Sequence, residues 1–495
     1  MSLKDIRVVV GGFSYANKVN SEIITHDIWP NHVGQTKTNT ALSYDIELNE
    51  VIDWGRSALA EKPKKRRKAS QYPSNQSIQV ELFKLHLGDI PNDEKPFLPN
   101  NLNYKRAIID YLKELGIYNA ELIETPDSQN LQFTTEPEAA AIYCINTMKE
   151  CYSFPVGRSF LLVDCGGGTI DLTTRKLLKG NKLGEITERT GEFCGSAYVD
   201  KEFENFIKRI VGSSALKLLK DNHYSQFQFM IQEFCRLVKT VFTGNPEKFK
   251  TFELDFQEVC PAIQDYVKGT TRNQLEENDW IVDLDFYTVK AMFDPVISRI
   301  ITLISLQLSN VHDCTAIFLV GGFSESKYLQ NRIKSTFNYI PNILVPKEPV
   351  TAIARGAVQY GLHMETIKTR VLKYSYGVKV AFEWQPGDPP NRRTKLGRIF
   401  KFHQLANRGT IVKVDEEFSE TFAPFTGKER TRSYKIYFTR KNVGKYCDEE
   451  GMKFLGELRI DSQDTSLGID RPVLFSLRFG KMEIDATAVD KSSGQ

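Results

Sequence analysis

Residues 160–178, FLLVDCGGGTIDLTTRKLL, constrain this chain more than any other stretch. An apolar run ends at Asp164, three glycines and Thr169 follow, and Asp171 opens a second β-prone run, a pattern that reads as strand, turn, strand. Gly166, Gly167 and Gly168 let backbone N–H groups approach a phosphate because no Cβ intervenes, and successive N–H groups in a turn make an anion-binding concavity. Asp164 and Asp171 flank that turn, and hard carboxylate oxygens hold Mg2+, usually through its waters. The same residues also suit an ordinary glycine-rich hairpin connection, so on this segment alone both readings stand.

With 495 residues the chain has room for about two to four structural units. Hydrophobic residues at 41% and charged residues at 26% match a globular average, which excludes a fibrous or globally disordered class. A net charge of +3 does not point to nucleic acid or membrane. The local exception is residues 62–68, KPKKRRK, with six basic residues in seven from Lys62 to Lys68; it reads as a nuclear import signal or as a solvated loop. Eight cysteines without CxxC or zinc spacing, together with no apolar run of membrane-spanning length, make the cytoplasm the expected compartment.

Further segments add to the glycine turn. Residues 6–16 form a second strand, glycine turn, strand unit, with Gly11 and Gly12 in the turn. Residues 51–61 read as helix-like and residues 104–115 as an amphipathic helix. In residues 134–150 Thr135 or Glu136 caps a helix, and Ala139 to Ala141 lets another element approach closely. Residues 227–242 read as one helix in which Glu233, Arg236 and Lys239 share a face, solvated or adenosine-facing. Residues 317–337 are strand, Gly321-Gly322 turn and helix, with Ser324 as the N-cap. Residues 346–361 form a helix whose Ala352, Gly356 and Ala357 allow a tight crossing. From residue 370 onward short alternating runs separated by Gly- and Pro-bearing turns predict a small antiparallel β domain.

Four segments in order, LLVDCGGGTIDLTT, TEPEAAAIYC, IFLVGGFSESKYLQ and EPVTAIARGAV, resemble the second phosphate loop, first connecting helix, adenosine loop and second connecting helix of the actin-like ATPase superfamily. Within it the chain is similar to a divergent branch of the seventy-kilodalton heat-shock chaperones. The resemblance implies an α/β fold of the actin-like ATPase type with duplicated ribonuclease H-like lobes, partly truncated, followed by a small β-rich domain. Its implied boundaries are 1–365 for the nucleotide-binding domain (lobe I about 1–157 and 343–365, lobe II about 158–342) and 366–495 for the β-rich domain. ATP or ADP with Mg2+ is the implied cofactor. Asp164 and Asp171 would hold Mg2+ through water, and Gly166 to Thr169 would cradle phosphate. Glu136 would stand near the attacking water, with Asp164 also catalytic. Gly321, Gly322 and Ser324 would match the adenosine turn, and Glu233, Arg236 and Lys239 the adenosine-binding helix in either of two registers.

The chain departs from the family at two places. The family's first Asp-x-Gly-Thr-Thr loop is reduced to Gly11-Gly12-Phe13-Ser14, whose amides and hydroxyl are the remaining donors, and a strand is lacking between residues 116 and 133. Phosphoryl transfer rests on positioning and charge stabilisation, and one lost donor costs roughly 10² to 10³ in rate. The expectation is therefore a heat-shock-chaperone-like nucleotide-binding protein whose hydrolysis is weak or lost. An active ATPase chaperone and a non-catalytic protein or peptide scaffold acting through the C-terminal domain stand as alternatives.

Overall fold

A computed structural model describes residues 6–10, 14–17, 22–29, 32–34, 36–59, 62–63, 77–88, 90–92, 95–116, 133–148, 154–424, 426–461, 465–480 and 482–491. The chain forms two compact units: unit 1 holds Met1–Ser153, Leu161–Leu172 and Thr190–Leu362, and unit 2 holds Phe154–Phe160, Thr173–Arg189 and His363–Gln495. Gly11, Gly12, residues 64–68 of the basic run and residues 117–132 lie outside the described residues.

In unit 1 the strand Cys314–Val320 pairs in parallel with Asn342–Leu344, and sheet order continues through Ser159–Cys165 to the start of Ile170–Leu178. Apolar side chains from these strands and from the surrounding helices make one large core that includes Leu161, Val163, Phe203, Phe234, Phe293 and Phe318's neighbours Ile317 and Leu319. The helices are α1 (Tyr104–Glu114), α2 (Glu136–Met148), α3 (Ala197–Val211), α4 (Ser213–Asn222), α5 (Tyr224–Phe234), α6 (Phe256–Val259), α7 (Gly269–Glu277), α8 (Phe286–Leu308), α9 (Lys327–Thr336) and α10 (Ala352–Leu362). As expected from the small residues, α2 and α10 touch at backbone distance: a Cβ on Gly356 would lie 1.8 Å from the Ala139 carbonyl oxygen. Thr135 caps α2 reciprocally, since its Oγ1 accepts from Glu138 N at 3.3 Å and Glu138 Oε2 accepts from Thr135 N at 3.5 Å.

The helix read over residues 51–61 is not what its described part, residues 51–59, forms. Val51–Trp54 is a strand of a three-stranded sheet with Ala41–Tyr44 at its centre and Ile78–Glu81 beyond, followed by a 3-10 turn at Gly55–Ala58. β-branched Val51 and Ile52 favour the strand, and Gly55 at φ 66 ends it. Leu42, Tyr44, Val80, Phe83 and Ala107 of α1 close a small core beneath this sheet. The N-cap of α9 is Ser326, whose Oγ accepts from Leu329 N at 3.3 Å, rather than Ser324.

Unit 2 is β-rich. The strand Lys182–Glu185 pairs antiparallel with residues 175–178 and parallel with Ile367–Val371, which pairs antiparallel with Ile411–Lys413. Two antiparallel sheets follow: Arg398–Ala406, Ser375–Glu383, Thr431–Thr439 and Met452–Asp461 in one, Glu416–Phe422, Val473–Phe479 and Asp485–Asp490 in the other. Val378, Tyr434 and Ile436 from the first sheet meet Val473, Phe475, Leu477 and Phe479 from the second in one core, the alternation expected of a β sandwich. The last strand among the described residues is Asp485–Asp490.

Candidate functional site

The glycine turn joins Ser159–Cys165, buried along its whole length, to Ile170–Leu178. Gly166 N donates to Thr169 O at 3.0 Å and closes the turn. The carbonyls of Gly168, Gly166 and Gly167 accept in order from Gly195 N (3.2 Å), Ser196 N (3.1 Å) and Ala197 N (2.8 Å) at the start of α3. Helix starts leave N–H groups without intrahelical partners, and here the turn's carbonyls take them. Among the described residues the amides of Gly167, Gly168 and Thr169 have no protein partner, and all three keep some solvent exposure, so they are open to an outside acceptor.

Gly195 is what lets α3 come so near. A Cβ there would lie 2.4 Å from the Gly167 oxygen and 2.7 Å from the Gly166 oxygen, backbone atoms that cannot swing aside. Gly195→Ala is therefore expected to destabilise unit 1 by about 1 to 3 kcal/mol. An unchanged thermal midpoint would show that the turn and α3 separate at little cost.

Asp164 is only 4% exposed, and its carboxyl is pushed up to about 7, first by burial and then by the negative charges of Glu136 and Asp171, against the opposing fields of Lys37 and Lys84. Gly321, at φ 82 after the strand Cys314–Val320, packs on it so closely that a Cβ would lie 2.5 Å from Asp164 Oδ1. Gly191 does the same to Asp171, with 2.5 Å to its Oδ1. Glu136 opens α2, and its Oε1 lies 3.5 Å from Lys84 Nζ. Asp164, Asp171, residues 166–169, Glu136 and Gly321 therefore share one neighbourhood.

Lys84 and Lys37 carry no sequence signal. Lys84 stands in the 3-10 turn Phe83–Leu87, which follows Leu82 at φ 56. That turn is seated on the glycine turn and the segment after it: a Cβ on Gly168 would meet Leu85 Cδ2 at 2.5 Å, and one on Gly88 would meet Phe193 at 2.0 Å. These contacts join residues over 80 positions apart, so no local pattern announces them.

The expected adenosine side is less regular. α5 ends at Phe234 and passes into a π turn, Cys235–Lys239, with Thr240 N bonded to Cys235 O at 3.1 Å. The i→i+5 step breaks the common face expected for Glu233, Arg236 and Lys239. Arg236 folds back on Glu233 with bonds of 3.0 and 2.7 Å. Lys239 instead reaches Asp200 of α3 at 2.6 Å, where the Cys235 thiol also donates at 3.2 Å. Ser324 is fully buried, and its hydroxyl donates to Gly321 O at 2.6 Å, so it ties the glycine turn together from within. Gly322 is exposed with open space around it. Ser14 is buried, its hydroxyl 3.2 Å from that of Thr25.

The fields of Glu136 and Asp171 add to the negative charge at Asp164, and among the described residues no group of three or more His, Cys, Asp or Glu side chains is placed to hold a metal ion. No helix of the described residues is long and apolar enough to cross a membrane.

No family model matches the sequence. It is 24% identical over 462 residues to heat shock 70 kDa protein 12A of Mus musculus, covering 78% of this chain and 67% of that protein, with the same values for the Homo sapiens protein. It is 23% identical over 366 residues to heat shock 70 kDa protein 12B of Homo sapiens, covering 68% of this chain and 53% of that one. Among solved structures, MreB 5 of Spiroplasma citri bound to AMPPNP superposes with a TM-score of 0.40 at 12% identity, over 71% of this chain and 93% of its own.

Proposed function

We propose that this chain, a divergent relative of the seventy-kilodalton heat-shock proteins 12A and 12B, binds ATP or ADP in unit 1 and hydrolyses it weakly or not at all. The observation that carries this reading is the tying of all three glycine carbonyls to the start of α3, which leaves the amides of Gly167, Gly168 and Thr169 as phosphate donors. Asp164 and Asp171 hold Mg2+ through its waters, and the ion neutralises phosphate charge when bound. Gly321 and Gly322 face the nucleoside, in the lobe division 1–157 and 343–365 against 158–342. Glu233, Arg236 and Lys239 border it, and Gly11 and Gly12 supply what remains of the first phosphate loop. Titration calorimetry with ATP and Mg2+ on folded protein tests this. No heat at millimolar nucleotide overturns it.

The active-ATPase alternative is favoured by one contact, Lys84 to Glu136 at 3.5 Å beside the glycine turn. In that reading Glu136 orients water and Lys84 offsets phosphate charge. Single-turnover hydrolysis is expected to fall about 100-fold in Glu136→Gln if the alternative holds. Equal rates in wild type and variant reject it while leaving nucleotide binding untouched.

The scaffold alternative places protein or peptide clients on unit 2, where Phe400 (45% exposed) and Phe454 (55%) stand out on the surface. The cytoplasm, with the nucleus reached through residues 62–68, completes the proposal. Peptide-array binding by the full chain, with and without ATP, distinguishes a scaffold from a nucleotide-coupled chaperone.

A further inference from the structure

A groove of about 610 Å³ lies in unit 1, and none of the residues lining it belongs to the candidate nucleotide site. Three consecutive residues of one strand, Ile281, Val282 and Asp283, border it. Successive strand side chains point to opposite faces, so three in a row meet one groove only where it runs along the strand's edge. The strand Ile281–Leu284 pairs on one side with Phe252–Asp255 and with no other strand among the described residues. Its second row therefore borders the groove, with Ile281 O and the N–H and C=O of Asp283 left to pair, since Ile281 N is bonded to Asn278 O. The facing wall is one side of α7, where Thr271 and Gln274 present a hydroxyl and an amide.

Two more observations set the chemistry of an occupant. Arg209, in the last turn of α3, lines the groove and has no ion-pair or hydrogen-bond partner among the described residues. The turn that feeds the strand holds Asp279 at φ 51 and Trp280 at φ 61, a left-handed pair of non-glycine residues with Ile281 N bonded to Asn278 O at 2.8 Å. Such backbone is strained for residues with a Cβ and persists only where its surroundings hold it. Here Trp280 is 4% exposed and bonded through both backbone groups, its N to Leu275 O at 2.7 Å and its O to Phe256 N at 3.1 Å. The strand edge is thus held rigid.

We infer that this groove takes an extended peptide segment of a protein partner as an added β-strand along Ile281–Leu284, with an acidic side chain of the segment paired to Arg209. Main-chain bonds to a fixed edge supply affinity, and the unpaired guanidinium selects a carboxylate. Asp283, the anionic residue of the lining, disfavours a second acid at its end of the groove.

The test uses the full chain and the probe acetyl-TVEVT-amide, its lysine counterpart acetyl-TVKVT-amide, and the acidic peptide N-methylated at alternate residues, read by titration calorimetry. The acidic probe is expected to bind wild type and to weaken at least about fivefold in Arg209→Glu, while the lysine probe binds that variant better than wild type. The N-methylated probe is expected not to bind. Arg209 is exposed, so an unchanged thermal midpoint certifies the variant's fold. No binding of any probe at millimolar concentration overturns the inference, as does affinity indifferent to Arg209→Glu or to N-methylation. Self-association in sedimentation that Arg209→Glu abolishes would assign the groove to a second copy of this chain and overturn it too.

Discussion

At pH 8 the Asp164→Asn variant is expected to unfold at a higher temperature than the unsubstituted protein and yet to bind Mg·ATP some 10- to 100-fold more weakly. The two effects share one cause. Burial, Glu136 and Asp171 hold the Asp164 carboxyl up to about 7 from an ordinary 3.8. A raised folded value means that the native state keeps a proton the unfolded chain has lost. Its stabilising contribution is complete below pH 3.8 and is lost as pH rises to about 7. Above that the native state carries a buried charge that asparagine does not. The gain in midpoint should therefore be about 4 °C or more at pH 8 and vanish near pH 4. A cation drawn to the site reverses the sign, because it favours the carboxylate. Binding of Mg·ATP near pH 7 is thus expected to release a fraction of a proton, read as a dependence of calorimetric heat on buffer ionisation enthalpy. Equal midpoints at pH 8, or buffer-independent heats, would show that Asp164 is not the group under strain.

The stretch most legible in the sequence was the turn from Asp164 to Asp171, because everything that defines it lies within eight consecutive positions. Small residues at Ala139 and Gly356 likewise announced a close helix crossing, since shape is written in residue size. What stayed illegible came from distance in the chain or from a single irregular step. Leu85 on Gly168 and Lys84 beside Glu136 depend on how a 3-10 turn folds over the sheet. The strand Val51–Trp54 is four residues long, too short for alternation to outweigh the helix-prone residues after it. One π turn at Cys235–Lys239 sent Lys239 to Asp200 while Arg236 stayed with Glu233, a division that 3.6-residue periodicity does not contain.

These long-range contacts also organise the site energetically. The carbonyls of residues 166–168 are held by α3, Asp164 is covered by Gly321, and the Lys84 turn is seated on Gly168. Each contact is a backbone or glycine approach with no slack. Helix packing that displaced α2 would move Glu136 relative to Lys84 without touching either residue.

Gly356→Ala should show this most plainly. Alanine in the middle of a helix ordinarily favours the helix by about 1 kcal/mol over glycine, so an exposed position would gain stability. Here the added methyl would lie 1.8 Å from the Ala139 oxygen, 2.4 Å from its carbonyl carbon and 3.1 Å from its Cα. All three are backbone atoms, and Ala139, Ala140 and Ala141 are fully buried, so the helices must part. The expected loss is about 3 kcal/mol, the upper end for overpacking, with the unit 1 midpoint lowered by about 6 °C or more. Because the clash is with main chain, shortening the partner side chain in Gly356→Ala/Ala139→Gly should not restore the midpoint. A rescued double variant would place the conflict on the Ala139 methyl instead. Since α2 carries Glu136 at its first turn, the single variant should also weaken nucleotide binding at temperatures well below its midpoint, where unfolding contributes nothing.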